Sequence, residues 1–216
     1  MKNISHLALI CALLFTTAAV AREKTGNGGL AVVCRNAKTN AIESAEILDI
    51  FEAKYRYGLT PAKTDEFFFW TQRNYTKARN RIAILVPEFF KILVKHELKV
   101  PRKSFVSSEF ILTETEDTGS IPVMKKGCAL EQAAVLTTEE DAFIVSEEIW
   151  DTLDELNRSA LQMHETIYLI DRKYNQADSS HFTRKVTAHL MSDIDDINVD
   201  TKITDWLTER FHLGKP

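Results

Sequence analysis

The chain has 216 residues, with 27 Lys and Arg against 31 Asp and Glu, for a formal charge of −4. A 44% hydrophobic content with only 7 Gly and 5 Pro describes a folded chain and excludes a disordered one. The mild acidity excludes a global attraction to nucleic acid or anionic lipid, so neither is expected as a partner.

The first segment carries an address. Met1-Lys2-Asn3 is short and basic, Leu7 to Ala19 is apolar and uncharged, and Ala19-Val20-Ala21 places small residues where a signal peptidase reads. Residues 1–21 are therefore expected to be a cleaved signal peptide, and 22–216 a single exported domain, periplasmic or extracellular. A membrane-spanning helix needs about 20 apolar residues, more than this run contains. Cys11 follows Ala8-Leu9-Ile10, which does not suit a lipidated cysteine. No later stretch is apolar enough to span a bilayer, so the mature domain is expected to be soluble. Losing Lys2 leaves 26 basic against 31 acidic residues, or −5. Of the 3 cysteines, Cys11 leaves with the signal and one pair remains, Cys34 and Cys128. In an oxidising compartment an isolated pair is expected to bond, and closing so long a loop contributes roughly 4 kcal/mol in the chain-entropy model. The rival reading makes Cys34 a nucleophile, but no local His supports it.

Gly26-Asn27-Gly28-Gly29 opens the mature domain as a turn-forming entry to a strand at Leu30 to Cys34, which pairs with a second strand near Ile42 as a hairpin. Ser44 is expected to cap a helix through about Tyr57, ended by Gly58. A second helix starts at Thr64, with apolar positions Phe68, Tyr75, Ala78, Ile82, Leu85, Phe89 and Ile92 at three- and four-residue steps. Pro87 should kink or split it near Val86. Strand-prone segments follow at Phe105 to Thr115, Ala129 to Thr137 and Phe143 to Val145. Ser146 then opens a helical run to about Lys173. Further helices are read from Ser179 or Ser180 to Met191, and from Thr201 or Thr204 to His212. The class is α+β: one domain, with an N-terminal β-hairpin and a few short strands packed with four to six helices.

The strongest candidate site is Leu161-Gln162-Met163-His164-Glu165-Thr166-Ile167-Tyr168. On a zinc-protease helix, two histidines one turn apart hold the metal while the glutamate beside the first activates its water. Here Tyr168 replaces the second histidine, so the pattern is broken where it is most specific. Leu153, Leu156, Ala160, Met163, Ile167, Ile170 and Tyr174 form a core stripe. At about 100° per residue, His164 lies about 70° from its centre, Tyr168 further round and Glu165 nearly opposite. Leu161 and Leu169 flank Glu165, so this helix should be covered on most sides. A covered Glu needs a partner, and Arg184 is the one expected. The bland alternative is a satisfied buried network of His164, Glu165 and Tyr168. His96-Glu97, a second His-Glu pair followed by nothing ligand-like, shows how readily two letters match by chance.

These residues resemble an uncharacterised family of small exported proteins from Gram-negative bacteria. The resemblance rests on Gly26 to Gly29, Val33-Cys34, and Ser44-Ala45-Glu46-Ile47-Leu48-Asp49 with Glu52-Ala53. It continues through Gly127-Cys128, Val145-Ser146 with Trp150, His164-Glu165 with Tyr168, and Ser180 with Arg184. It departs at Met163, where the family pattern has Leu, and before Ser180, where relatives often carry a His. If that His were a ligand, its absence here argues against a metal. The resemblance supports the disulfide and the site without implying a reaction.

Other motifs point less far. Asp196 to Asp200 resembles half a calcium loop, but Thr201 and Leu207 stand where Gly and a bidentate Glu belong, so a solvated acidic turn is expected. Arg73, Lys77 and Arg81 read as a solvated basic stripe. Phe67-Phe68-Phe69-Trp70 is either buried or a contact surface for a protein partner.

Three functions are compatible with these readings. A non-catalytic envelope or secreted binding or structural factor is favoured, with no cofactor expected. It requires His164, Glu165, Tyr168 and Arg184 to be buried and bonded. The alternative is a hydrolase with Glu165 as general base and His164 as acid or zinc ligand. That alternative needs Ser180, His181 or His189 within reach of the pair. A binding protein would expose the aromatic run.

Overall fold

The structure, a computed structural model, describes residues 28–63, 73–97, 105–107, 112, 123–136, 143–193 and 197–214. The signal segment, the Thr64 helix start and the Phe67 to Trp70 run lie outside these residues.

The chain enters through β1 (Leu30–Arg35), and β2 (Ile42–Ile47) folds back on it antiparallel, with Ala31 opposite Ile47 and Cys34 opposite Ser44. The expected hairpin is present, but Ser44 lies inside β2 instead of capping a helix. Ser44-Ala45-Glu46-Ile47 stays extended because every one of its residues pairs with β1. The helix α1 (Leu48–Tyr55) starts only where that ladder ends. Gly58, at φ +64°, lies just beyond the end of α1 in a conformation that suits glycine.

α2 (Arg73–Leu85) and α3 (Pro87–His96) are the two pieces of the long helix, broken at Val86 as Pro87 requires. Pro87 occupies the first turn of α3, where no backbone donor is needed. β3 (Phe105–Val106) is short. β4 (Cys128–Gln132) and β5 (Ala134–Leu136) divide the predicted Ala129 to Thr137 strand at Ala133, and each half joins a different sheet. One sheet has the order β2-β1-β4, all antiparallel. The other has the order β3-β6-β5, with β6 (Phe143–Ser146) antiparallel to β5 and parallel to β3. Cys34 and Cys128 face each other in the β1–β4 register and form the expected disulfide, with a sequence separation of 94.

The predicted helix from Ser146 is also two: α4 (Glu147–Thr152) and α5 (Glu155–Asn175). Asp154 separates them because its carboxylate accepts the Asn157 N–H at 2.8 Å, capping α5 afresh. Asn157 Oδ1 in turn accepts the Ile47 N–H at 2.8 Å, so the start of α5 fixes the point where α1 begins. α6 (His181–Leu190) follows the Ser180 start closely, whereas α7 (Ile197–Arg210) begins earlier than Thr201.

Core and ion pairs correct two smaller readings. The stripe Leu153, Leu156, Ala160, Met163, Ile167 and Ile170 is buried, but Tyr174 is exposed near the helix end, edge-on to His96. Asp200 lies within α7 and binds Arg81 at 2.6 Å, and the same guanidinium donates to the His189 carbonyl at 2.9 Å. Neither a solvated acidic turn nor a fully solvated basic stripe survives this, because Arg81 is buried.

Candidate functional site

α5 is the centre of the domain. Every residue from Ser159 to Asp171 is buried, on all sides of the helix, which is why Glu165 cannot escape to water although it points away from the main stripe. α1, α2, α3, α6 and β5 pack around it. His164, Glu165, Tyr168 and Arg184 are 0%, 0%, 1% and 1% exposed.

Each has a defined neighbour, and two of these differ from expectation. His164 Nδ1 donates to Asp49 Oδ1 of α1 at 2.9 Å, with both side chains fully buried. Glu165 Oε1 accepts the Gly29 N–H at 2.5 Å. Arg184 faces a different carboxylate, that of Glu52. Its Nε lies 3.6 Å from Glu52 Oε2, and the Arg56 guanidinium donates to Glu52 Oε1 at 3.0 Å. Tyr168 packs its ring 6.2 Å from that of His164, with the Arg172 guanidinium 5.9 Å from the Tyr168 ring centre.

Gly28 and Gly29 belong to this site as well as to the entry of β1. A Cβ on Gly28 would lie 1.8 Å from the Ala134 carbonyl oxygen, and one on Gly29 would lie 2.1 Å from Leu161 Cδ1. The chain passes so close to β5 and α5 that no side chain fits between. The Gly29 carbonyl, for its part, accepts the N–H groups of Ala133 and Ala134 at 2.9 and 3.1 Å. The entry to β1 is thus hydrogen-bonded on both sides, with the Glu165 carboxyl on one and the β4–β5 crossing on the other.

The electrostatics follow from burial. Burial pushes the Glu165 carboxyl up to about 7; the His164 charge, the Gly29 N–H and Arg172 oppose it, and Asp49 reinforces it. Burial alone would drive His164 toward its neutral form. The Asp49 carboxylate on Nδ1, aided by Glu165, outweighs that and holds its pKa above the ordinary value, with Arg184 acting the other way. Glu52 is also raised by burial, with Arg184 opposing. Asp49 Oδ2, His164 Nε2 and Glu165 Oε2 are buried without a hydrogen-bond partner among the described residues.

Of the third groups named for the hydrolase reading, Ser180 and His181 stand at the start of α6 and His189 near its end. His181 is exposed at the helix start, and Ser180, buried, precedes it. His189 directs Nδ1 to the Lys185 carbonyl at 2.8 Å and packs its ring against Tyr57 and Trp206. For zinc, the donor set does not fit. Among the described residues no group of three or more His, Cys, Asp or Glu is placed to hold a metal ion, and His164 Nδ1 is already engaged by Asp49.

Asp49 and Glu52 were missed by sequence reasoning. Their signal was present: two acids three residues apart among Leu48, Ile50, Phe51 and Ala53, on a segment too apolar to leave them in water. No protein-family model, curated protein or solved structure matches the chain.

Proposed function

We propose that the protein is a non-catalytic exported factor, of the envelope or secreted, in which the His164–Glu165 pair is a structural hub. The observation that supports this most is the complete burial of the pair, each member bonded to a different early segment: His164 to α1 and Glu165 to the entry of β1. One turn of α5 thus organises the N-terminal third of the described chain. The Cys34–Cys128 disulfide supports export, since such pairs persist in oxidising compartments. No helix among the described residues is long and apolar enough to cross a membrane.

The reading is tested by metal analysis of protein purified from an oxidising compartment, beside a His164→Ala variant. The expected result is no stoichiometric metal in either, together with a large stability loss in the variant. Stoichiometric zinc in the natural protein that disappears in the variant would overturn it.

The hydrolase reading is favoured by one observation. Glu165 is held near neutral pH, as a general base must be, beside an imidazole whose Nε2 has no partner among the described residues. It requires solvent or substrate to reach two side chains that are 0% exposed. A hydrolytic activity abolished by Glu165→Gln with the fold intact would establish it.

A further inference from the structure

The junction of α1, α5 and α6 gathers polar side chains that the domain closes off from solvent. Asp49 and Glu52 stand three residues apart on α1 and so share a face. α5 brings His164 to Asp49, with Nδ1 and Oδ1 at 2.9 Å, and α6 brings Arg184 to Glu52, with Nε and Oε2 at 3.6 Å. None of the four is more than 1% exposed. Three atoms of this group have no hydrogen-bond partner among the described residues: Asp49 Oδ2, Glu52 Oε2 and His164 Nε2. Buried polar atoms are ordinarily satisfied, and leaving one bare costs more than leaving it in water. Carboxylate oxygens are acceptors only, so Asp49 and Glu52 cannot satisfy each other. His164 gives its Nδ1 hydrogen to Asp49; the neutral ring then offers Nε2 as an acceptor, and the charged ring offers it as a donor. The partner of these atoms therefore needs hydrogens to donate and a lone pair to accept. It also needs no charge. Asp49 and Glu52 are offset by Arg184 and Arg56, and the neighbouring Glu165 has the Arg172 charge to oppose its own. A metal ion does not suit, because it offers no donor and no group of three or more His, Cys, Asp or Glu among the described residues is placed to hold one.

We propose that the α1–α5–α6 junction is a binding site for buried water, which bridges Asp49 Oδ2, Glu52 Oε2 and His164 Nε2 and so joins α5 to both polar positions of α1. Water has two donors and two lone pairs, is neutral, and meets either form of the imidazole. A buried water makes about three hydrogen bonds, so about one or two molecules serve these three atoms. The proposal rests on the hub reading and deepens it: the polar interior of the hub is completed by solvent enclosed on folding, and the carboxylates of α1 stay ionised without a direct protein donor on every oxygen.

Two measurements on the natural protein, with its disulfide intact and in buffer free of ammonium, test this without relying on a variant that folds. The first is a crystal structure at a resolution that orders buried water. The expected result is a water within about 3 Å of Asp49 Oδ2 and of either Glu52 Oε2 or His164 Nε2. The second is magnetic relaxation dispersion of the solvent, which counts water molecules held for longer than the protein takes to tumble. The expected result is at least one such molecule per chain. A junction in which protein groups bond these three atoms directly, a dry junction, or a metal ion in the place of the water would each overturn the proposal. So would a crystal water there with no long-lived water in solution, since a site open to rapid exchange is not enclosed. The hub reading fails by a different measurement, namely if His164→Ala leaves stability unchanged.

Discussion

Replacing Glu165 by Gln should make the protein more stable at pH 8 relative to the natural chain than it does at pH 5. The buried carboxyl has its pKa at about 7 when folded, against an ordinary value of 4.5. A carboxyl whose pKa is raised on folding takes up a proton as the chain folds. Its contribution is fully present below about pH 4.5 and is lost as pH rises through about 7. The interval between the two values corresponds to about 3 kcal/mol of differential interaction, and complete burial leaves little solvent screening to reduce it. His164 has the same sign: its folded pKa is above 6.5, so its contribution also fades as pH rises past that value. The natural chain should therefore lose stability steadily from about pH 5 through 7, whereas the variant, lacking the larger titration, should lose much less. Urea unfolding at fixed pH values, with the disulfide oxidised, gives both curves and their difference. Parallel curves for the two proteins, or a natural chain that gains stability from pH 5 to 8, would refute the reasoning. Either result would mean that Glu165 is solvated or paired with a fixed cation.

Asp49→Ala removes the only bonded partner that His164 has among the described residues and should cost about 3–5 kcal/mol, the usual effect of breaking a buried charged pair from one side. Burial then prevails at His164 and its pKa should drop below the ordinary value, visible by NMR titration of the ring. Gly28→Ala should destabilise by about 1–3 kcal/mol or more, because the new methyl meets the Ala134 backbone at 1.8 Å. Gly127→Ala, with nothing within 4 Å of its Cβ and a positive φ, should cost only about 1–2 kcal/mol; thermal melts that rank these two the other way round would contradict the packing of the β1 entry. Removing the disulfide as the Cys34→Ser and Cys128→Ser double variant should cost about 4–5 kcal/mol for a loop of 94 residues, lowering Tm by roughly 10 °C or more. A loss under about 1 kcal/mol would mean that the unfolded chain is already constrained.

Periodicity made much of the fold legible. The α5 stripe, the break at Pro87, the start of α6 and the first hairpin are all local in origin, set by apolar spacing and by residues with fixed backbone preferences. What misled was competition between local signals and distant pairing. Ser44-Ala45-Glu46 looks like a helix start, yet five of the residues from Ile42 to Ile47 face β1 in the ladder, and the helix waits until Leu48. Asp154 was read as helix interior, although its carboxylate serves as a cap.

At the candidate site, the sequence marked the residues but not their partners. His164, Glu165, Tyr168 and Arg184 were all singled out, and all are buried near the centre of the domain. A buried acid suggests a buried base, hence Arg184 for Glu165; the structure adds Glu52 beside Arg184 and a backbone N–H on the Glu165 carboxyl, neither of them expected. A backbone donor leaves no mark in a sequence. The glycines could be seen only as permissive positions. That they are required by contact with Ala134 and Leu161 depends on two segments more than a hundred residues away.

The most direct test of the central claim, that the His164–Glu165 pair is a closed structural hub, is a double-mutant cycle on Asp49 and His164 measured by equilibrium unfolding. Each single alanine variant should lose about 3–5 kcal/mol, and the double variant should lose about 2–3 kcal/mol less than the sum of the two, the coupling between two fully buried partners. Single variants that each cost less than about 1 kcal/mol, with no coupling between them, would contradict the account and return the pair to the reach of solvent and substrate.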